Sequence, residues 1–185
     1  MPLDTGATLL QRLQAVDLLV LDVDGVLTDG GIIYDESGNE LKRFHVRDGS
    51  GLKIWQHVGK RAAIITGRTS PVVERRAAEL GIAPVIQGAM EKAPALRRVL
   101  AETGFPVDRV CAIGDDVTDL CLLTSCGLAI AVADASAELR QAARYVTRTS
   151  GGHGAVREVI ELILHAQGQW AAIIERFRGE RVQAV

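Results

Sequence analysis

Asp22 and Asp24 stand two residues apart at the end of an apolar run, Leu18-Leu19-Val20-Leu21, and Gly25 follows at once. A run of this kind marks a parallel strand buried on both faces, which carries acids to the edge of a sheet. Residues two apart in extended chain share a face, so both carboxylates can point into one small volume. Crowded carboxylates repel unless a cation sits between them. The chemistry this suggests is a Mg²⁺ site with a nucleophilic aspartate. An Asp-Gly pair after a strand also makes an ordinary turn, with the Asp side chain bonded to the backbone. On this stretch alone both readings stay open.

Further along the chain lies one candidate for each part that aspartyl-phosphate chemistry needs. Asp22, where position is best defined, is the expected nucleophile, and Asp24 on the following loop the acid/base. Mg²⁺ takes six hard oxygens and keeps several waters, so the Asp22 carboxylate, the Asp24 carbonyl and Asp115 suffice, with Asp116 and Asp119 around them. Thr66 and the backbone of Gly67 can donate to phosphate oxygens, and Lys92 brings a balancing charge.

Strands must deliver these groups. Residues 61–66 and 109–114 read as buried strands ending at Thr66-Gly67 and at Gly114-Asp115-Asp116, with shorter strands at 84–88, 128–132 and 145–147. Helical spacing predicts helices over 48–58, 71–80, 91–103, 136–144 and 155–166, and a short one over 4–14 capped by Asp4 or Thr5. Two β-prone arms around Ser37-Gly38-Asn39 predict a hairpin over 31–46. Alternation of strand and helix means right-handed crossovers, hence an α/β, Rossmann-like doubly wound parallel sheet with helices on both faces and ligands at the carboxyl ends of its strands. Residues 167–185 read as a further helix, a partner contact or a mobile tail.

At 185 residues and 48% apolar the chain is expected to form one domain over 1–185. A formal charge of −2 gives no field for nucleic acid or an anionic membrane, which points to a small-molecule site held by local groups. The absence of a membrane-length apolar run or a secretory leader makes a cytoplasmic location the expectation. Cys111, Cys121 and Cys126 are odd in number and read as reduced core thiols.

Asp22-Val23-Asp24-Gly25, Thr66-Gly67-Arg68, Lys92 and Gly114-Asp115-Asp116 with Asp119 resemble, in order, the motifs of the haloacid dehalogenase superfamily of phosphohydrolases, over about residues 17–165. Asp22 to Gly30, Phe44-His45-Val46-Arg47-Asp48-Gly49, Gln87-Gly88 and Gly151-Gly152-His153-Gly154-Ala155-Val156-Arg157-Glu158 resemble, more narrowly, the family of 3-deoxy-D-manno-octulosonate 8-phosphate (KDO 8-phosphate) phosphatases. That resemblance implies Mg²⁺-dependent hydrolysis of a sugar-acid phosphate in lipopolysaccharide precursor synthesis, a capless fold with a hairpin insertion, and a homotetramer in which the hairpin and tail help cover a neighbour's site. The chain departs from the family at Met90-Glu91, at Cys121 where proline is common, and through the tail.

A capless site needs something to bind the sugar and exclude water. The hairpin and Arg47 are candidates, with Arg68 reaching for the substrate carboxylate; Arg47 pairing with Asp48 or a neighbour is the alternative. A nonulosonate 9-phosphate phosphatase is the competing substrate reading. A non-catalytic scaffold on the same fold is disfavoured by the presence of Asp22, Asp24, Lys92 and Asp115, and hydride transfer by the lack of G-x-G-x-x-G after the first strand.

Overall fold

The computed structural model describes residues 7–179. Six parallel strands form its sheet: β1 (Leu18–Leu21), β4 (Arg61–Ile65), β5 (Val85–Ile86), β6 (Val110–Gly114), β7 (Leu128–Ala131) and β8 (Tyr145–Val146). Their order is β5-β4-β1-β6-β7-β8, so β1 lies inside the sheet with β4 and β6 beside it. Every residue of β1, β6 and β7 is buried, each large side chain contributing roughly 1.5–3 kcal/mol relative to exposure. The apolar runs of the sequence are therefore the interior of a sheet covered on both faces.

The helices are α1 (Leu9–Ala15), α2 (Val46–His57), α3 (Pro71–Leu80), α4 (Lys92–Thr103), α5 (Leu120–Ser125), α6 (Ala137–Ala142), α7 (Ala155–Ala166) and α8 (Trp170–Gly179). α7 packs on both α1 and α2, while α5 packs on α4 and α6. α3 starts at Pro71 and stops at Gly81 in the left-handed region, φ 70°, as the sequence predicts. The expected caps Asp4 and Thr5 lie outside the described residues. Thr8 caps α1 instead, exchanging bonds with Gln11 in a capping box.

Three differences from the expectations bear on function. The hairpin pairs only β2 (Ile33–Tyr34) with β3 (Glu40–Leu41), and the Asp35 carboxylate closes its turn by accepting from Ser37 N and Asn39 N. α2 begins at Val46 rather than 48. The tail carries α8, which lays Ile173 against the body. Between β1 and β4 the chain holds only the hairpin and α2, which agrees with a capless architecture. Among the described residues no helix is long and apolar enough to cross a membrane.

Candidate active site

Asp22 extends β1 by one hydrogen bond, its N–H donating to Ile113 O at 3.2 Å. The chain then turns sharply: the N–H groups of Val26, Leu27 and Thr28 all point to Val23 O, at 3.2, 2.9 and 3.0 Å. This turn leaves Asp22 buried and Asp24 half-exposed at the sheet edge. Gly25 has φ 95°, and a side chain there would run into the Asp115 carboxylate. Gly114 ends β6 for a similar reason, since its missing Cβ is the space Asp119 fills.

Beneath the pocket lies a buried ionic cluster. Lys92, first residue of α4 and 4% exposed, donates from Nζ to Asp22 Oδ1 at 2.8 Å and to Asp119 Oδ1. Asp119 has no exposed surface, and its other oxygen accepts from Asp115 N at 3.2 Å. Asp22, Asp115 and Asp119 each offer a carboxylate oxygen within 4.8 Å of the other two. Three acids thus share one ammonium, and the imbalance shows in the protonation of Asp22 and Asp115. Burial, opposed by Lys92, pushes Asp22 up to about 6. Burial together with the charges of Asp22 and Asp119 pushes Asp115 up to about 7. Burial works against the Lys92 ammonium, but the two carboxylates outweigh it and hold its pKa above the usual lysine value. Hard oxygens with too little positive charge among them are the donor set that suits Mg²⁺.

A cavity of about 290 Å³ opens above this cluster, and Asp22, Asp24, Thr66, Gly67, Arg68, Lys92, Asp115 and Asp116 all line it. Thr66 follows β4, nearly fully buried, and its N–H continues the sheet to Ile86 O at 3.0 Å. Asp119 lies under the cavity rather than on its wall. Asp116 is exposed on the rim and is not one of the three acids that converge.

Arg47 departs from the expectation. Because α2 begins at Val46, Arg47 sits exposed in its first turn and lines a different groove, with Thr149, His153 and Arg157 near the start of α7. Two hairpin residues that sequence reasoning passed over, Glu40 and Lys42, stand instead beside Asp24 and the expected Arg68. Lys42, its side chain 1% exposed, ion-pairs with Asp24 and lies 3.4 Å from Glu40. Arg68 bonds Glu40 at 2.7 Å, reaches the Tyr34 hydroxyl at 3.4 Å, and its Nε lies 3.7 Å from Asp24. The alternation Glu40-Leu41-Lys42 was the available signal, since it sets both charges on the face opposite Leu41.

The haloacid dehalogenase-like hydrolase family matches the chain over residues 79–160. The 3-deoxy-D-manno-octulosonate 8-phosphate phosphatase of Haemophilus influenzae is 42% identical over 159 residues, 86% of this chain and 88% of that protein. The Escherichia coli K12 phosphatase of the same name is 44% identical over 164 residues, 89% of this chain and 87% of that one. Among solved structures, the Moraxella catarrhalis phosphatase in complex with magnesium, phosphate and KDO superposes with a TM-score of 0.88 at 43% identity, covering 91% of this chain and 97% of that one. A cobalt-bound form of the Haemophilus influenzae enzyme gives 0.83 at 42%, over 85% and 92%. By its motifs, its fold and these likenesses, the chain belongs to the 3-deoxy-D-manno-octulosonate 8-phosphate phosphatase family of the haloacid dehalogenase-like hydrolases.

Proposed function

We infer that this chain hydrolyses KDO 8-phosphate to KDO and inorganic phosphate with Mg²⁺, a step of lipopolysaccharide precursor synthesis, through a phosphoaspartate on Asp22. The observation that carries the reading is the bridge from Lys92 Nζ to Asp22 and Asp119 beneath a cavity also lined by Asp24, Thr66 and Asp115. The Asp22 carboxylate attacks phosphorus while the sugar oxygen leaves with a proton from Asp24. Water then attacks the phosphoaspartate and gives its proton to the same Asp24, which frees phosphate and restores both acids.

Lys92 fixes the direction of Asp22 before attack, and Thr66 with the Gly67 N–H donates to the phosphoryl oxygens. Asp22, the Asp24 carbonyl and Asp115 would hold the metal, with Asp116 and Asp119 around them. Bound Mg²⁺ would supply positive charge to offset the negative charge of the phosphoryl oxygens. Lys42 and Arg68 both flank Asp24, and Arg68, 40% exposed in its side chain, lines the cavity where it would meet the substrate carboxylate.

Phosphate release from purified KDO 8-phosphate and from a nonulosonate 9-phosphate tests the substrate. Preference for the eight-carbon ester is expected, and preference for the other would replace it. A homotetramer built on the hairpin accompanies this reading, supported by exposed Ile32, Ile33, Tyr34 and Leu41 on its arms. A cytoplasmic location does too, supported by three free cysteines, two of them buried.

A further inference from the structure

Two motifs far apart in sequence, His45-Val46-Arg47-Asp48-Gly49 and Gly151 to Glu158, meet where α2 packs on α7. Asp48 is 2% exposed, and its Oδ1 accepts from Arg157 N at 2.8 Å, with the N–H groups of Gly154 and Val156 also turned to it. Those N–H groups open α7 and have no partner within the helix, and a carboxylate complements the positive end of its dipole. The helices approach closely because Gly51 of α2 has no side chain; a Cβ there would press on Arg157 and Ile160.

In the same first turn of α7, Glu158 gathers the segment that precedes the helix. It accepts from Tyr145 OH at 2.8 Å, Arg148 N at 2.9 Å, Thr149 N at 3.1 Å and Thr149 Oγ1 at 2.8 Å. The loop held between these two acids lies directly on the turn that follows Asp24. Gly152 N donates to Val26 O at 2.9 Å. A Cβ on Gly151 would fall on the Gly25 carbonyl, and one on Gly152 on the backbone of Thr28 and Asp29. Backbone rests on backbone with no side chain between, so displacement of one loop displaces the other. Neither Asp48 nor Glu158 lines the cavity.

We propose that Asp48 and Glu158 are positioning residues for the phosphatase reaction, anchoring the glycine loop so that it holds the backbone of residues 25–29 and thereby aims the Asp24 carboxylate. The role rests on Asp24 being the proton donor. A sugar alkoxide needs that proton to leave, whereas p-nitrophenolate departs without one, so misaiming Asp24 slows the first substrate and spares the second.

The test compares kcat/KM on KDO 8-phosphate and on p-nitrophenyl phosphate. Asp48→Ala is expected to lose about tenfold or more on the sugar phosphate and less than about threefold on the aryl phosphate. Asp48→Asn keeps an oxygen for the Arg157 N–H and recovers most of the loss. Amide hydrogen exchange across residues 25–29 quickens in Asp48→Ala and not in Asp48→Asn. Glu158→Gln gives the same selectivity and carries the test should Asp48→Ala not fold. Equal losses on the two substrates, or none, overturn the proposal. Asp24→Asn, measured alongside, is expected to show the leaving-group dependence in full. If it does not, the proton-donor assignment falls and this inference with it; if it does and Asp48→Ala and Glu158→Gln do not, only the inference falls.

Discussion

The floor of the site and the hairpin beside it are built on opposite principles. The floor sits at the ends of β1, β4 and β6, its Lys92 and Asp119 almost or wholly without exposed surface. Its groups are held by the sheet ladder and by each other, so little reorganisation is left for the moment of reaction. The hairpin is two strands of two residues, with exposed Ile33 and Tyr34 on one arm and Leu41 on the other. Glu40, Lys42 and Tyr34 tie it to the site, through Arg68 and Asp24. On the proposed reading the difference separates two tasks: the floor transfers the phosphoryl group, and the hairpin shapes whose phosphoryl group it is.

Breaking the floor is the most costly intervention. Asp22→Asn should lower turnover on the order of 10⁴-fold or more while circular dichroism shows an intact fold, because the nucleophile is lost but its volume is not. Lys92→Met should add a loss of stability to a loss of activity. It leaves Asp22 and Asp119 buried without their cation, which costs about 3–5 kcal/mol and is read as a fall in melting temperature. On the hairpin the effect should be smaller and confined to activity. Lys42→Met frees one side of Asp24, with an expected loss of about 10–100-fold in kcat/KM on the sugar phosphate.

Protons sharpen the same contrast. Asp22 and Asp115 titrate in the fold at about 6 and about 7, both above the ordinary 3.8. Raised carboxylate pKa values stabilise the metal-free fold below about pH 4, and that contribution is lost as pH rises through the folded values. The metal-free melting temperature should therefore fall between about pH 4 and pH 7, and less so in Asp115→Asn. Mg²⁺ needs both groups deprotonated, so its affinity by titration calorimetry should climb over the same window, by up to about tenfold per pH unit for each group. Smallest of all, Ile33→Ser with Leu41→Ser should disperse the assembly by light scattering yet leave p-nitrophenyl phosphate turnover within about threefold, since the floor is untouched. Unchanged assembly would remove the hairpin as the contact.

The contrast also explains what was legible beforehand. Buried strands write themselves as apolar runs, and the groups that matter follow where those runs stop, so Asp22, Thr66 and Asp115 could be read off with their strands. Lys92 was legible as the start of a helix after a strand, although its burial between two acids was not. The hairpin gave a turn but no reach, because two-residue pairing carries almost no period, and Lys42 looked like any solvated lysine. α5 was missed for a similar reason, six residues being too few for helical spacing to show. Arg47 was misplaced by a helix boundary two residues early. Asp48 was legible only as a possible partner of Arg47, and nothing local says that the helix end it serves is that of α7, more than a hundred residues away.

The central claim is that Asp22 becomes phosphorylated. Rapid acid quench of enzyme mixed with KDO 8-phosphate and Mg²⁺, followed by peptide mass analysis, tests it directly. The account predicts a phosphate mass on the peptide carrying Asp22, present within one turnover and absent from Asp22→Asn; a phosphate on another residue, or full turnover by Asp22→Asn, would contradict it.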